Sequence, residues 1–328
     1  MSQQETAPLA AAAPSAPARR RARLGTIPLL VITLALCAFL AITRENFLTA
    51  SNLYSLAFAV SIEALVVLAF TYVMVLREID LSVGAVYALS GVLSGYLLLQ
   101  GLSLPLAIAL ALGAAALVGL VNGFLVVRFR INSLMLTIGT MLIVRGIVGV
   151  MTTTLRGNIF PREFRSLARQ AFFGVNLTII AMIVLVIAAL LFQWRSVLFR
   201  QMCYIGENLQ SATIYGIRTG RIKVLAFVAS SLMAGIAGIY TASRITHADS
   251  NMGVGLEFSM ITAAVLGGAS LYGGRGNAAA SVLGLFLLAV IINGMAMYDI
   301  EPVFQQFVVG ALLIATVAID TLLNRHRV

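Results

Sequence analysis

The chain has 328 residues, of which 60% are hydrophobic and only 10% charged, with a mean hydropathy of +1.00. Soluble domains carry about 25% charged residues, so this composition excludes a water-soluble fold and points to an all-α polytopic membrane protein. A formal net charge of +10 could suggest nucleic acid, but the arginines sit between apolar runs rather than on one face. Control of membrane topology accounts for them, and no nucleic-acid partner is expected.

Residues 1–26 are rich in Ala, Pro, Ser and Gln and end in Arg19, Arg20, Arg21 and Arg23, the composition of a disordered cytoplasmic tail. About 20 apolar residues cross a bilayer. On that measure ten spans are expected, at about 27–43, 54–76, 81–99, 105–127, 133–154, 174–193, 224–243, 258–272, 278–298 and 303–322. The permease domain would cover 27–323 and a cytoplasmic tail 324–328. The first span is read as an uncleaved anchor, and bulky Leu36 before Cys37 argues against a lipoprotein site.

Threading these spans from an inner N-terminus puts 15 basic residues on the cytoplasmic side and six outside, with Arg145 left within a span. The excess of inner positive charge supports a multi-pass protein of the bacterial inner membrane with both termini cytoplasmic. The external segment 155–173 runs against that rule, and its Phe160, Phe164, Phe172 and Phe173 suggest a stretch lying along the outer headgroups. Gly91 and Gly95, Gly119 and Gly123, Gly146 and Gly149, and Gly235 and Gly238 have the small-xxx-small or closer spacing of helix–helix contacts.

Three polar islands interrupt the apolar chain. The first, Arg77 to Gly84 (REIDLSVG), is either a solvated hairpin, with Arg77 paired to Asp80 or Glu78, or a broken helix lining a pathway. The second, Tyr204 to Lys223, contains a short helix about 207–216. Asn208 is suited to cap its start, Gly216 to end it in a left-handed turn, and Leu209, Ala212 and Tyr215 to give it an apolar face. The third, Leu266 to Asn277, is glycine-rich, and Gly267, Gly268, Gly273, Gly274 and Gly276 are expected to shape a hairpin or gate. It is not a phosphate-binding P-loop, because Lys223 is the only lysine in the chain and no such loop precedes it. The chain is thus not an NTPase by that route, and no cofactor, metal or catalytic group is expected in it.

Polar groups within spans are the candidates for a solute pathway: Glu63, Asp80, Ser82, Asn122, Thr137, Arg145 and Asn293, with Gln305 beside them. Glu63 and Arg145 are the sharpest, since a charge at membrane depth is costly unless it is functional or paired. Their pairing with each other is the competing account.

Four segments resemble the permease subunits of bacterial sugar-type ABC importers, the family of ribose, xylose, rhamnose and autoinducer-2 permeases. They are Ile79 to Gly84 (IDLSVG), Leu136 to Thr140 with Arg145-Gly146 (LTIGT…RG), Val265 to Gly276 (VLGGASLYGGRG), and Tyr204 to Asn208 with Gly216-Ile217. The order and spacing match over about 46–322. Arg77-Glu78 stands where the family usually has Gly-Gly, a pattern closer to the autoinducer-2 and rhamnose branches. The resemblance implies an ABC importer permease fold with an inverted repeat. The implied function is inward movement of a small polar solute, a pentose, deoxyhexose or autoinducer-2-like sugar, by alternating access. It also implies an ATP-binding subunit docked on Gly206, Glu207, Asn208, Leu209, Ala212, Tyr215 and Gly216, a periplasmic substrate-binding protein, and a second permease, identical or paralogous, all in contact with membrane lipid. An ion-coupled secondary transporter is the rival function.

Overall fold

A computed structural model describes residues 18–155, 159–247 and 249–323. Residues 1–17 of the tail expected at 1–26, the expected tail 324–328, and 156–158 of the external segment lie outside these residues. The helix α1 spans Ala18–Thr43 and so begins inside the stretch expected to be a tail. It is followed by α2 (Ala50–Val75), α3 (Val83–Leu99), α4 (Leu104–Phe129), α5 (Ser133–Thr154) and the short α6 (Arg162–Leu167). A small hairpin, β1 (Ala171–Phe172) with β2 (Val175–Asn176), leads into α7 (Leu177–Arg195). Next come α8 (Val197–Glu207), α9 (Leu209–Ile214), α10 (Thr219–Ile245), α11 (Leu256–Leu266), α12 (Ala278–Met297) and α13 (Pro302–Leu323).

Each of the ten expected spans corresponds to a helix. Eight are long and apolar enough to cross a membrane, while α3 and α11 are shorter. Hydrocarbon offers nothing to hydrogen-bond to, so continuous apolar chain there closes its own backbone bonds as helix. Side-chain caps mark several starts: Asn132, Asn176 and Asn277 accept from backbone N–H groups opening α5, α7 and α12. The 11 residues of α11 rise only about 16 Å, roughly half a hydrocarbon core. The span expected at 258–272 is thus corrected to a half-helix that stops at Leu266, because Gly267 to Asn277 leave helical geometry.

Among the described residues the packing has an internal two-fold pattern. The helix α10 packs on α3 and α4, as α2 packs on α11 and α12; α3 touches α4 and α5, as α11 touches α12 and α13; α2 and α10 lie against each other. Exchanging α2–α5 with α10–α13 therefore preserves the neighbours, and the two sets run in opposite directions: an inverted repeat. The centre is α2, 83% of whose apolar window is buried, whereas for peripheral α13 the share is 6%. Helices approach closely where glycines remove the side chain. A Cβ on Gly119 would stand 2.7 Å from the Phe227 carbonyl oxygen, and one on Gly238 would strike that of Tyr87. Gly146 and Gly149 depart from expectation, since a Cβ on either meets nothing within 4 Å.

The bundle has two ends. One carries 76–82, α8, α9 and the α11–α12 connection, and is called here the Gly274 end. The other carries α6, the β-hairpin and 246–255, and is called the Phe160 end. There Phe160 and Phe164 are buried, with Phe160 seated against Gly95, while Phe172 and Phe173 are exposed. Only two of the four phenylalanines thus fit the expected surface stretch.

Candidate functional site

The three polar islands, far apart in sequence, meet at the Gly274 end. Asn208 closes α8 and caps α9, accepting from Ser211 N at 2.9 Å. Gly216 has a φ of +75°, and Ile217 N donates back to Ala212 O at 3.1 Å. That return turns the short helix against the first turns of α10. Ala212 is 1% exposed and packs with Ile205, Ile222 and Phe227. Leu209, Ala212 and Tyr215 therefore do not share one outward face as expected. Ala212 belongs to the chain's own core, and Ile214 and Tyr215, each 84% exposed, point outward beside half-exposed Leu209.

Contact between the islands is at the backbone. Gly274 N donates to Val75 O at 2.9 Å. Gly206 is packed against that same carbonyl and against Gly274, leaving no room for a side chain. Gly273, in the left-handed region at φ +76°, sits 2.6 Å (from its would-be Cβ) from Arg77 Cβ and next to Gly206 O. Glu207 lies against Gly274. On the far side of this hairpin, Leu271 N donates to Asp320 at 3.1 Å, and Gly267 seats the end of α11 on the start of α12. Gly268 (φ +87°) is exposed, while Gly276 packs on Val75 and Thr71. Glu78 forms an ion pair with Lys223, both side chains nearly buried. The expected pairing of Arg77 with Asp80 or Glu78 is corrected accordingly, and Arg77 is exposed. In α8, burial and the nearby Glu207 carboxylate push the Cys203 thiol up to about 11.

Residues 76–82 form a break between α2 and α3, and this break is buried rather than a solvated hairpin. Asp80 and Ser82 are fully buried. Non-helical backbone at membrane depth requires protein partners, and α5 supplies them. Ile79 N donates to Ser133 Oγ at 3.2 Å and Leu81 N to Thr137 Oγ1 at 3.0 Å. Asp80 Oδ1 accepts from Ser82 N at 3.1 Å and from Ser82 Oγ at 2.5 Å. Asn122 Nδ2 donates to Ser82 Oγ at 3.0 Å, and Thr140 Oγ1 donates to Asn122 Oδ1 at 2.7 Å. Four of the sequence candidates, Asp80, Ser82, Asn122 and Thr137, are thus neighbours, joining three helices around one break.

A second break, 246–255, precedes α11. Arg145 reaches it from α5, its Nη1 donating to Met252 O and its Nη2 to Gly253 O, both at 2.6 Å. Glu257 provides the opposite charge beside it. Gly84, at the start of α3, packs against Gly253 and Glu257 with no space for a side chain. The N-termini of the two short helices therefore approach each other inside the bundle. Helix N-termini present free N–H groups and partial positive charge, so such a pair can hold oxygen-rich groups within a membrane.

The other candidates lie elsewhere. Glu63 is within electrostatic reach of Tyr87, whose hydroxyl is 2.5 Å from Thr241 Oγ1. The Glu63–Arg145 pair considered from sequence gives way to Arg145 with Glu257. Asn293 forms a reciprocal amide pair with Asn52, at 2.8 and 3.2 Å, that ties α12 to α2. Gln305 lies on peripheral α13. Sequence reasoning missed Glu257 and Thr140. Glu257 carried the same signal as Glu63, a lone acid in an apolar run, but Thr140 is a short hydroxyl residue that announces nothing.

Comparison with known proteins is consistent with this geometry. The chain is 32% identical over 331 residues to the L-arabinose ABC transporter permease protein AraH of Azospirillum brasilense, covering 100% of this chain and 97% of the relative. It is 34% identical over 293 residues to the L-arabinose transport system permease protein AraH of Escherichia coli, covering 89% of each. It is 32% identical over 291 residues to the autoinducer 2 import system permease protein LsrC of Yersinia enterocolitica, covering 89% of this chain and 81% of that one. No solved structure matches. The family model described as "Branched-chain amino acid transport system / permease component" matches residues 52–317. The chain therefore belongs to that permease family.

Proposed function

We propose that this chain is the translocation subunit of an importer for a sugar, of the pentose, deoxyhexose or autoinducer-2 type, driven by a separate ATP-binding subunit. The observation that carries the reading is the convergence of three islands at the Gly274 end. A helix that displays Ile214 and Tyr215 outward is joined through Gly206 and Gly274 to the first buried break and to the α11–α12 connection. A push on α9 is thereby passed at backbone level to 76–82, which leads into α3, and to the connection that follows α11. The relatives' cargoes, arabinose and autoinducer 2, suggest the solute class, and the uncharged hydrogen-bonding groups around Asn122 suit a polyhydroxy compound.

In this reading Gly206, Glu207, Asn208, Leu209, Ala212, Tyr215 and Gly216 build the docking element, with Ala212 as its internal support. Asp80, Ser82, Asn122, Thr137 and Arg145 form or brace the pathway, Glu63 and Asn293 flank it, and Gly267, Gly268, Gly273, Gly274 and Gly276 form the gate hairpin. The Gly274 end and both termini face the cytoplasm, a periplasmic binding protein delivers solute to the Phe160 end, and a second permease completes the pathway. The test is co-purification with the ATP-binding subunit and uptake of labelled arabinose by the reconstituted complex. Tyr215→Asp with Ile214→Asp is expected to reduce co-purified ATPase at least tenfold while the chain still inserts. Normal association would overturn the docking role, and ion-driven uptake by the chain alone would overturn the ATP-driven reading.

A further inference from the structure

An apolar crevice of about 370 Å³ opens sideways between α2, α7, α8 and α10, with walls that include Leu65, Leu68, Ala189, Met202, Ala229 and Met233. The helix α7 packs on α2 and α12 and leaves this space towards α10. The volume falls within the roughly 300–1,000 Å³ of pockets that hold small ligands. One polar atom stands out on these walls. The Tyr72 hydroxyl is buried and without a hydrogen-bond partner. Its ring is fixed by edge contacts to Phe192, at 5.4 Å, and Phe199, at 6.0 Å. A buried hydroxyl with nothing to bond costs free energy unless an acceptor arrives.

Depth and charge identify the acceptor. Tyr72 lies in the last turn of α2, near the Gly274 end, where a bilayer changes from hydrocarbon to ester and phosphate groups. Trp194, 64% exposed, marks the same level on α7, as interfacial indoles do. Two exposed cations follow the crevice walls: Arg195, one turn beyond Phe192 and stacked at 5.3 Å on Trp194, and Arg221, one turn before Leu225 on α10. Leu225 itself is 61% exposed at the lip.

We propose that this crevice binds one membrane phospholipid with an anionic headgroup. Its acyl chain lies along Leu65, Ala189 and Met233, an ester oxygen accepts from the Tyr72 hydroxyl, and its phosphate meets Arg195 and Arg221. The occupied crevice would brace α8, whose Gly206 holds the Gly274 junction, so the lipid would act on the same end as the ATP-binding partner. The inference rests on membrane embedding alone and not on the docking role of α9.

The test is retention of phosphatidylglycerol against phosphatidylcholine. The full chain is equilibrated in nanodiscs holding both, transferred to mild detergent, and assayed for bound phospholipid by native mass spectrometry. The expected result is one phosphatidylglycerol per chain, at least tenfold over phosphatidylcholine. Ala229→Trp should fill the crevice and reduce retention at least tenfold. Tyr72→Phe, which changes one oxygen and leaves the packing, should reduce it several-fold, and Arg195→Gln with Arg221→Gln should remove the headgroup preference. Equal retention by the native chain and the Tyr72→Phe and arginine variants overturns the proposal. So does equal retention of the two lipids, or cross-linking of two chains through Ala229→Cys, which would put a second permease in the crevice.

Discussion

The two breaks are equivalent in the inverted repeat but are held by different means. The first, at 76–82, has its backbone stitched by neutral side chains of its own half, Ser133, Thr137 and, through Ser82, Asn122 and Thr140, while its Glu78 side chain pairs with Lys223 of the other half. The second, at 246–255, depends on a charge from the other half, since Arg145 of α5 binds Met252 and Gly253. A network of short neutral bonds yields gradually, whereas one guanidinium on two carbonyls is an all-or-none tie. The backbone of the second break is therefore the better hinge, and Arg145 joins the Glu78–Lys223 pair as a charged tie between the two repeats.

The largest effect should come from removing that tie. Arg145→Ala breaks two charge-assisted bonds and leaves Glu257 buried without its cation, a change that costs about 3–5 kcal/mol. Thermal unfolding in detergent should show it, with uptake lost, and Arg145→Lys should recover only part because one ammonium cannot span both carbonyls. Near-native unfolding of Arg145→Ala would break the comparison. Asn122→Ala should cost about 1–3 kcal/mol by removing the buried amide that donates to Ser82 and accepts from Thr140. Thr140→Ala added to it should cost much less than the sum of the single changes, as expected for one network. Strict additivity would mean that the first break is not a network.

The smallest effect concerns chemistry rather than stability. The thiol of Cys203 is raised to about 11, so its thiolate is scarce at neutral pH and becomes abundant only as pH climbs to that value. At pH 8 maleimide labelling should be on the order of 100-fold slower than for a free cysteine. Gly206→Val, which would push α8 from Val75 and Gly274, should restore fast labelling, and slow labelling in that variant would show that Cys203 does not report on the junction.

Much of this arrangement was legible in the sequence because hydrocarbon imposes a simple rule on apolar length. The ten helices at the expected spans followed from it, and Asn208 and Gly216 carried local signals strong enough to place α9. The half-helix α11 was less readable, as the apolar residues of 267–272 continue its pattern while glycine geometry ends it. The helix α8 was hidden because an amphipathic interfacial helix has neither the length nor the uniform hydropathy of a span. The orientation of Ala212 was invisible for another reason: in a helix of six residues, the outward face is chosen by what the next segment packs on. Likewise no spacing rule pairs Arg145 with a residue more than a hundred positions away.

The ion pair between Glu78 and Lys223 has a practical consequence. Lys223 is the only lysine of the chain, and its side chain is 13% exposed. Amine-directed cross-linkers, and proteases specific for lysine, thus find one shielded lysine in the whole sequence. An experiment that maps neighbours of this protein through its lysine side chains will report little from it, and carboxyl- or arginine-directed reagents are the ones that will report.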